Sequence, residues 1–524
     1  MDTKGTIARS AGIISLATFI SRVLGYAKDM ILARYFGATG ISDTFFVAFR
    51  IPNLLRELFA EGSMSSAFIP VLTEYQTNHG AEEAKRLVRI TFTFMLICAG
   101  LFCVAGIIFA PELVALIAPG FLRNAEQFSQ TVLLTRVMFP FLLFISIAAL
   151  VMGALNTRRV FFVPALAPAM LNVTIILVVL TLVPLLQQPI LAVAVGVTLG
   201  GLVQCGFQLP VFFQKGYDLR TDYRFRHPGL KKMSILIMPA TMGMAVAQVN
   251  IFVSTILASY LSQGSITYLY YSMRLIQFPI GIFGVAMGMA VLPTLSEHAV
   301  RGEMDKLRED FSFALRLLFF ITVPAMIGLI ALREPVVNIL FQRGMFDYGA
   351  TVGTADALLF YATGIWAIVG VRIVTATFYS LNDTRTPVKV AAAAVVINII
   401  MSLLLMNPLK HSGLAFANAI ASSVNFILLF YFLRRRLGRI DAKRILKSFI
   451  KICVASIIMG VLGWRVLHGE MWTASGRVVE KTLYLSGTIA ACVGIYLTIS
   501  FLLKGDEMNY LYDRVKDRLR RGTE

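Results

Sequence analysis

The sequence predicts an all-α, polytopic membrane fold of about fourteen transmembrane helices, arranged as two parallel six-helix repeats, an N-lobe and a C-lobe, followed by two C-terminal helices. Three observations predict it. Mean hydropathy is +0.75, and 57% of the 524 residues are hydrophobic against 15% charged, which is too apolar for a water-soluble globule. Apolar runs of about 20 residues, the length that crosses roughly 30 Å of hydrocarbon, recur along the whole chain. Short motifs also return at an offset of about 224 residues, the mark of a duplicated unit.

In chain order, the runs centre near residues 22, 56, 98, 142, 173 and 202, then near 246, 282, 320, 366, 397 and 422, and finally near 456 and 492. The first follows Lys4 and Arg9 but is interrupted by Arg22, with no convincing small-residue cleavage site after it. A retained first helix is expected rather than a signal peptide. The loops test the count independently: about 31 of the 48 Lys and Arg fall on one side, in stretches such as Lys215 to Lys232 and Arg434 to Lys447, against about five on the other, among them Arg477 and Lys481. Both termini are therefore expected in the cytoplasm. The net charge of +19 then reports topology, and the basic, aromatic stretch KGYDLRTDYRFRHPGLKK is expected on anionic lipid headgroups rather than on nucleic acid.

The repeat is carried by short matches. ILARY at 31–35 returns as ILASY at 256–260, FR at 49–50 as MR at 273–274, IPVL at 69–72 as LPTL at 292–295, and LNTR at 155–158 as LNDTR at 381–385. Because each half holds an even number of helices, the halves are parallel, and Arg50 and Arg274 become near-equivalent positions. The expected division is 1–214 for the N-lobe, 215–232 for a basic cytoplasmic linker, 233–440 for the C-lobe, 441–503 for the last two helices and 504–524 for a cytoplasmic tail. The spacings Gly196 to Gly200 and Gly284 to Gly288 are expected at close helix contacts, without chemistry of their own.

The functional signal lies between Ser21 and Tyr75, where Arg22, Lys28, Asp29, Arg34, Asp43, Arg50, Arg56, Glu57 and Glu61 stand in otherwise membrane-compatible sequence. A cation at the centre of a membrane helix costs roughly 2.5–3.5 kcal/mol, so these side chains must face water or one another. At about 100° per residue, Asp43, Arg50, Glu57 and Glu61 share a face with Asn53 at its edge, and Arg22 shares one with Asp29. Pro52 is expected to kink the helix beside Arg50. The picture is a broken, charged helix pair lining a cavity; internal ion pairs that only fix packing are the plainer alternative. Arg274, in YYSMRLIQFP with no acid within a helical turn, is expected to be functional, whereas Arg136, Arg316, Arg333, Arg372 and Arg465 lie nearer predicted helix ends and are expected to be interfacial anchors.

Several arginines and few unpaired acids suit an anion, and the planar guanidinium fork suits a phosphate or diphosphate. The chain has no GxSxG, DDxxD or HxxxH motif and no intramembrane His in the charged stretch, so transport without covalent chemistry is favoured over an enzyme. Cys98, Cys103, Cys205, Cys453 and Cys492 form no CxxC pair, and neither a metal site nor a cofactor is expected. The energy source is left open by the sequence; membrane potential or a monovalent cation is the expected coupling, with Asn250, Asp383 and Asn398 as sodium candidates.

SRVLGYAKDMILARYFG, SDTFFVAFRIPNLLRELFAEGSMSSAFIPVL, YYSMRLIQFPIGIFG and LNDTRTPVK resemble the MurJ (MviN) lipid II flippases of the multidrug/oligosaccharidyl-lipid/polysaccharide exporter superfamily, over essentially the whole chain. The resemblance implies a multi-pass protein of the bacterial inner membrane that flips an undecaprenyl-diphosphate-linked peptidoglycan precursor to the periplasmic leaflet by alternating access, for cell wall synthesis. It assigns cavity arginines to Arg22, Arg56 and Arg274, polar partners to Asp29, Asp43, Asn53 and Glu61, and a lipid-tail groove to residues 445–503. Lys28 stands where relatives often carry Arg, which keeps the charge but loses the fork; Glu57, Met273 and Gln277 also depart from the family pattern. Lipid II and membrane lipids are the expected partners of a monomer, with cell-wall synthesis or division proteins beside them. A flippase for another polyprenyl-diphosphate oligosaccharide, or a membrane-embedded cell-wall enzyme or scaffold, are the competing readings.

Overall fold

The structure is a computed structural model that describes residues 3–57, 63–438, 440–510 and 512, with residues 3–11, 13, 63–66 and 238–247 in backbone only. Every regular element among the described residues is helical, and the chain forms two compact units, Met1–Ile266 and Thr267–Glu524.

The first unit holds α1 (Thr3–Phe36), α2 (Gly40–Arg56), α3 (Ser63–Asn78), α4 (Ala81–Ile108), α5 (Ala110–Ile117), α6 (Ala125–Met138), α7 (Pro140–Thr157), α8 (Phe162–Leu182), α9 (Ile190–Gly206), α10 (Leu209–Gln214) and α11 (Pro228–Ser259). Pro52 is accommodated inside α2. Helix α8 packs on α1 and α9, α2 on α6, and α7 on α4 and α9. Gly196 and Gly200 make the α8–α9 contact close: an added Cβ would stand 3.2 Å from Ile175 Cα and 2.6 Å from Leu171 Cδ1, as expected where backbones must approach in lipid. A core of Phe68, Leu72, Leu87, Leu150, Phe212 and Met233 joins α3, α4, α7, α10 and α11.

The second unit repeats this order with α12 (Ser265–Pro279), α13 (Val285–Arg301), α14 (Met304–Ala331), α15 (Arg333–Phe341), α16 (Tyr348–Ala362), α17 (Ile365–Ser380) and α18 (Arg385–Leu437), and ends in α19 (Ala442–Leu467) and α20 (Val478–Leu502). Helix α18 is two helices joined at Lys410, whose backbone (φ 51°, ψ −133°) is non-helical. Helix α19 packs on α14 through Gly460, where a Cβ would meet Ile327 Cγ2 at 2.5 Å, and on α20 through Gly463.

Ten helices among the described residues are long and apolar enough to cross a bilayer, counting α18 once. The expected spans that fall short, near 22, 56 and 246, include the two that carry the charged stretch.

The compact division falls one helix later than the repeat. Helix α11 is the counterpart of α1, yet it is fastened to the first unit at both ends. At its start Lys232 Nζ meets Glu74 Oε2 at 2.5 Å, and at its finish Ser259 Oγ accepts the Gly120 N–H at 3.0 Å while Arg123 lies 5.3 Å from the Tyr260 ring centre.

His227 caps α11 by accepting the Gly229 N–H on Nδ1 at 3.1 Å, and burial pushes its pKa below the ordinary histidine value. A depressed base favours the neutral fold, so its contribution is complete above about pH 6.5 and is lost as pH falls towards the lower folded value. Hydrogen exchange across residues 217–235, corrected for intrinsic rates, is therefore expected to accelerate between pH 7.5 and 5.5. A His227→Asn variant, which caps without titrating, should lose that pH dependence; unchanged protection in the wild type would refute the cap.

Candidate functional site

On α2 the amide of Asn53 organises two charges. Asn53 Nδ2 donates to Glu57 Oε1 at 2.9 Å, and Arg56 Nε donates to Asn53 Oδ1 at 3.0 Å. These are one-turn spacings, which bring side chains together on a helix. Gln248 of α11 donates to the other oxygen, Glu57 Oε2, at 2.5 Å. The Arg56 guanidinium is thus held at the end of α2, with its side chain 22% exposed.

On α1, Lys28 Nζ lies 3.1 Å from Asp29 Oδ1, and the Asp29 carboxylate is fully buried. Arg22 and Arg34 are exposed on the same helix, and Arg50 is half-buried on α2. The cations are therefore supported by acids and amides at fixed helical positions while several keep access to the surface, an arrangement that can bind an anion without reacting with it.

Asp43 stands on α2 with Arg50 and Asn53. It is 2% exposed, and its Oδ2 accepts the Gly264 N–H at 2.6 Å. It latches the turn after α11. Glu61 lies outside the described residues.

In the second unit Arg274 is half-buried on α12 beside the buried Tyr271, Leu275 and Ile276. Shortly after it the helix passes through Pro279 into a π-helical turn, Ile280–Gly284, a distortion that often marks functional positions. Arg372 lies against this turn. A Cβ on Gly284 would lie 3.4 Å from Arg372 Cδ, and one on Gly288 3.8 Å from Arg372 Cβ. These are ordinary contacts; the close approach at Gly284 is to Val369 Cγ1, 3.0 Å from such a Cβ. Arg372 is exposed and two turns inside α17, so its expected role as an end-of-helix anchor is corrected.

Arg316 is corrected as well: it is 4% exposed and donates to Glu507 Oε1 at 2.5 Å and to Asp506 Oδ2 at 3.3 Å, a buried tie rather than a snorkelling anchor. Lys481, read as a loop residue, is 2% exposed and donates to Asn338 Oδ1 at 3.0 Å and to the Ala474 carbonyl at 2.6 Å. No local sequence signal announces the Arg316–Glu507 or Lys481–Asn338 contact, because those partners stand far away along the chain.

The three sodium candidates stand in different surroundings. Asp383 Oδ1 accepts the Arg385 and Thr386 N–H groups at the start of α18, and Oδ2 accepts from Thr386 Oγ1 and Arg436. The Thr386 N–H in particular holds its carboxyl below the usual carboxylate range. Asn398 is buried within α18, and Asn250 is half-buried on α11. Among the described residues no group of three or more His, Cys, Asp or Glu could hold a metal ion.

Between α19 and α20 lies an apolar cavity of about 270 Å³, lined by residues that include Leu462, Val466, Leu483, Thr488, Ala491 and Ile495.

Comparison with known proteins follows the same lines. The sequence model of the family described as lipid II flippase MurJ matches residues 32–484. The chain is 33% identical over 493 residues to the lipid II flippase MurJ of Burkholderia cenocepacia, covering 93% of this chain and 95% of that one. It is 35% identical over 506 residues to a probable lipid II flippase MurJ of Vibrio cholerae, covering 95% and 96%. Among solved structures, a lipid II flippase MurJ in an inward closed conformation superposes with a TM-score of 0.78 at 25% identity, covering 93% of this chain and 98% of that one. An inward-facing multidrug resistance transporter of the MATE family and MOP superfamily superposes with a TM-score of 0.67 at 15% identity, covering 82% and 99%, and shares the fold.

Proposed function

Since this chain belongs to the MurJ family of lipid II flippases, we propose that it carries undecaprenyl-diphosphate-linked peptidoglycan precursor from the cytoplasmic to the periplasmic leaflet by alternating access. It is a transporter and not an enzyme. The observation that carries the reading is the buttressed arginine at the end of α2, where Asn53, Glu57 and Gln248 hold Arg56 in one orientation. A preorganised guanidinium loses less entropy when it closes on the paired oxygens of a diphosphate.

The cations that meet the substrate's phosphates over the cycle are Arg22, Lys28, Arg50 and Arg56, with Asn53, and Arg274 and Arg372. Lys28 acts as a point charge, Asp29 and Glu57 keep the cations in place, and the family pattern adds Glu61. Substrate charge offsets the mutual repulsion of the cations and so biases the protein towards closure, by as much as its affinities for the two states differ. The apolar cavity between α19 and α20 suits the polyprenyl tail. The chain works as a monomer in the bacterial inner membrane with both termini cytoplasmic, as the distribution of Lys and Arg supports. No cofactor is involved. Coupling is to membrane potential, worth about 2.3 kcal/mol per charge per 100 mV, or to a monovalent cation. Enzymes of cell wall synthesis and division proteins are its natural neighbours, since they consume the product.

The test is rescue of a flippase-depleted bacterium, with lipid II on the outer leaflet read by an externally added toxin that cleaves it. The chain is expected to restore growth and toxin-accessible lipid II. Failure of well-expressed protein to do so would move the assignment to another lipid-linked substrate.

A further inference from the structure

The stretch from residue 215 to 227 is folded onto α4 rather than spread loosely. Asp218 makes a two-oxygen ion pair with Arg89, and the Asp222 N–H donates to Thr93 Oγ1 at 2.8 Å. One residue further along α4, the Phe94 ring lies 6.2 Å from that of Phe225, which in turn lies 6.2 Å from Tyr223. These contacts fix where the tip of the loop stands.

Helix α4 changes character at this point. Its charged residues end at Arg89. From Phe94 onward an exposed apolar stripe runs through Ile97, Leu101, Val104 and Ile108, a spacing of three and four that keeps one helix face towards hydrocarbon. The boundary between water and lipid on this face therefore falls between Arg89 and Phe94. The loop tip is pinned to it. Tyr223 is 66% exposed and Phe225 39%, and Arg220, Arg224 and Arg226 are exposed around them. Asp222 is the acid within this tip, and its carboxylate already lies near Arg86 and Arg224.

We propose that the segment from Arg220 to Arg226 is an interfacial binding site for anionic phospholipid headgroups, with Tyr223 and Phe225 seated at the headgroup level and the three arginines on the phosphates. Aromatic rings prefer that depth, and arginines near an anionic surface gain from each charge they meet. The site concerns the bilayer around the protein and not its cargo; only its assignment to the cytoplasmic leaflet rests on the orientation proposed above.

The test uses the full chain in symmetric nanodiscs, so that neither orientation nor transport enters the readout. In a Phe225→Trp variant, emission is recorded as a difference from wild type, which removes the three native tryptophans. Quenching is compared for brominated phosphatidylglycerol and brominated phosphatidylcholine at equal mole fraction. The anionic lipid is expected to quench about fivefold or more effectively, and the advantage should shrink in 1 M salt, where the Debye length is about 3 Å. Adding Arg220→Gln, Arg224→Gln and Arg226→Gln should bring the two lipids to parity while quenching itself persists. Equal quenching by both lipids in the unmodified loop, or quenching by neither, overturns the proposal. Should Phe225→Trp fail to fold, Tyr223→Trp carries the same reading at a more exposed position.

Discussion

Arg274→Ala is expected to abolish rescue of a flippase-depleted strain while the protein accumulates and folds as the wild type does. Arg274 is half-buried, and the helix around it is held independently: Ser272 Oγ reaches both the Tyr268 and Thr354 carbonyls at 2.7 Å. A hydrogen bond to a charged group contributes about 1.5–3 kcal/mol, so losing this contact corresponds to roughly tenfold to more than a hundredfold in binding. Arg274→Lys keeps the charge without the fork and should fall between. Arg372→Ala, against the π-helical turn that follows α12, should also impair rescue. Arg465→Ala, on an exposed residue near the end of α19, should rescue fully. Full activity of Arg274→Ala would sink the diphosphate-grip model, and equal damage from Arg465→Ala would show that site residues and anchors had been sorted wrongly.

The largest stability effect is expected at Arg316. Arg316 and Glu507 are 4% and 2% exposed, with Arg444 joined to the cluster through Asp506 at 2.8 Å. Arg316→Ala strands a buried carboxylate, which costs about 3–5 kcal/mol. Replacing both members, Arg316→Met with Glu507→Met, removes the stranded charge and should recover most of that loss. Thermal unfolding of purified protein, followed by the decay of the monodisperse peak in size exclusion, gives the comparison. Single and double variants of equal stability would refute a coupled pair.

Hydropathy and the repeat made the fold legible, because lipid imposes span length and helical backbone pairing on any sequence that crosses it. Arg56 and Asn53 were legible for the same reason: their partners are local, and charge inside apolar sequence stands out. The tie of Asp43 to Gly264 was not legible, because Gly264 lies in a turn that no helical projection includes. The Arg316–Glu507 and Lys481–Asn338 contacts were invisible because the partners stand 191 and 143 residues apart. Arg372 was missed by a different error. The expected helix ended near it, whereas α17 runs on to Ser380 and leaves the arginine inside the helix.

The two-ended fastening of α11 also bears on biosynthesis. The N-terminal half defined by sequence duplication is not a complete folding unit, since Phe68, Leu72 and Leu87 find part of their packing only in Met233 and its neighbours. A nascent chain that has delivered all six helices of the first repeat still lacks the segment that closes them. Closure is expected only once α11 has been made, so an insertion stage that lacks it should leave this core incomplete.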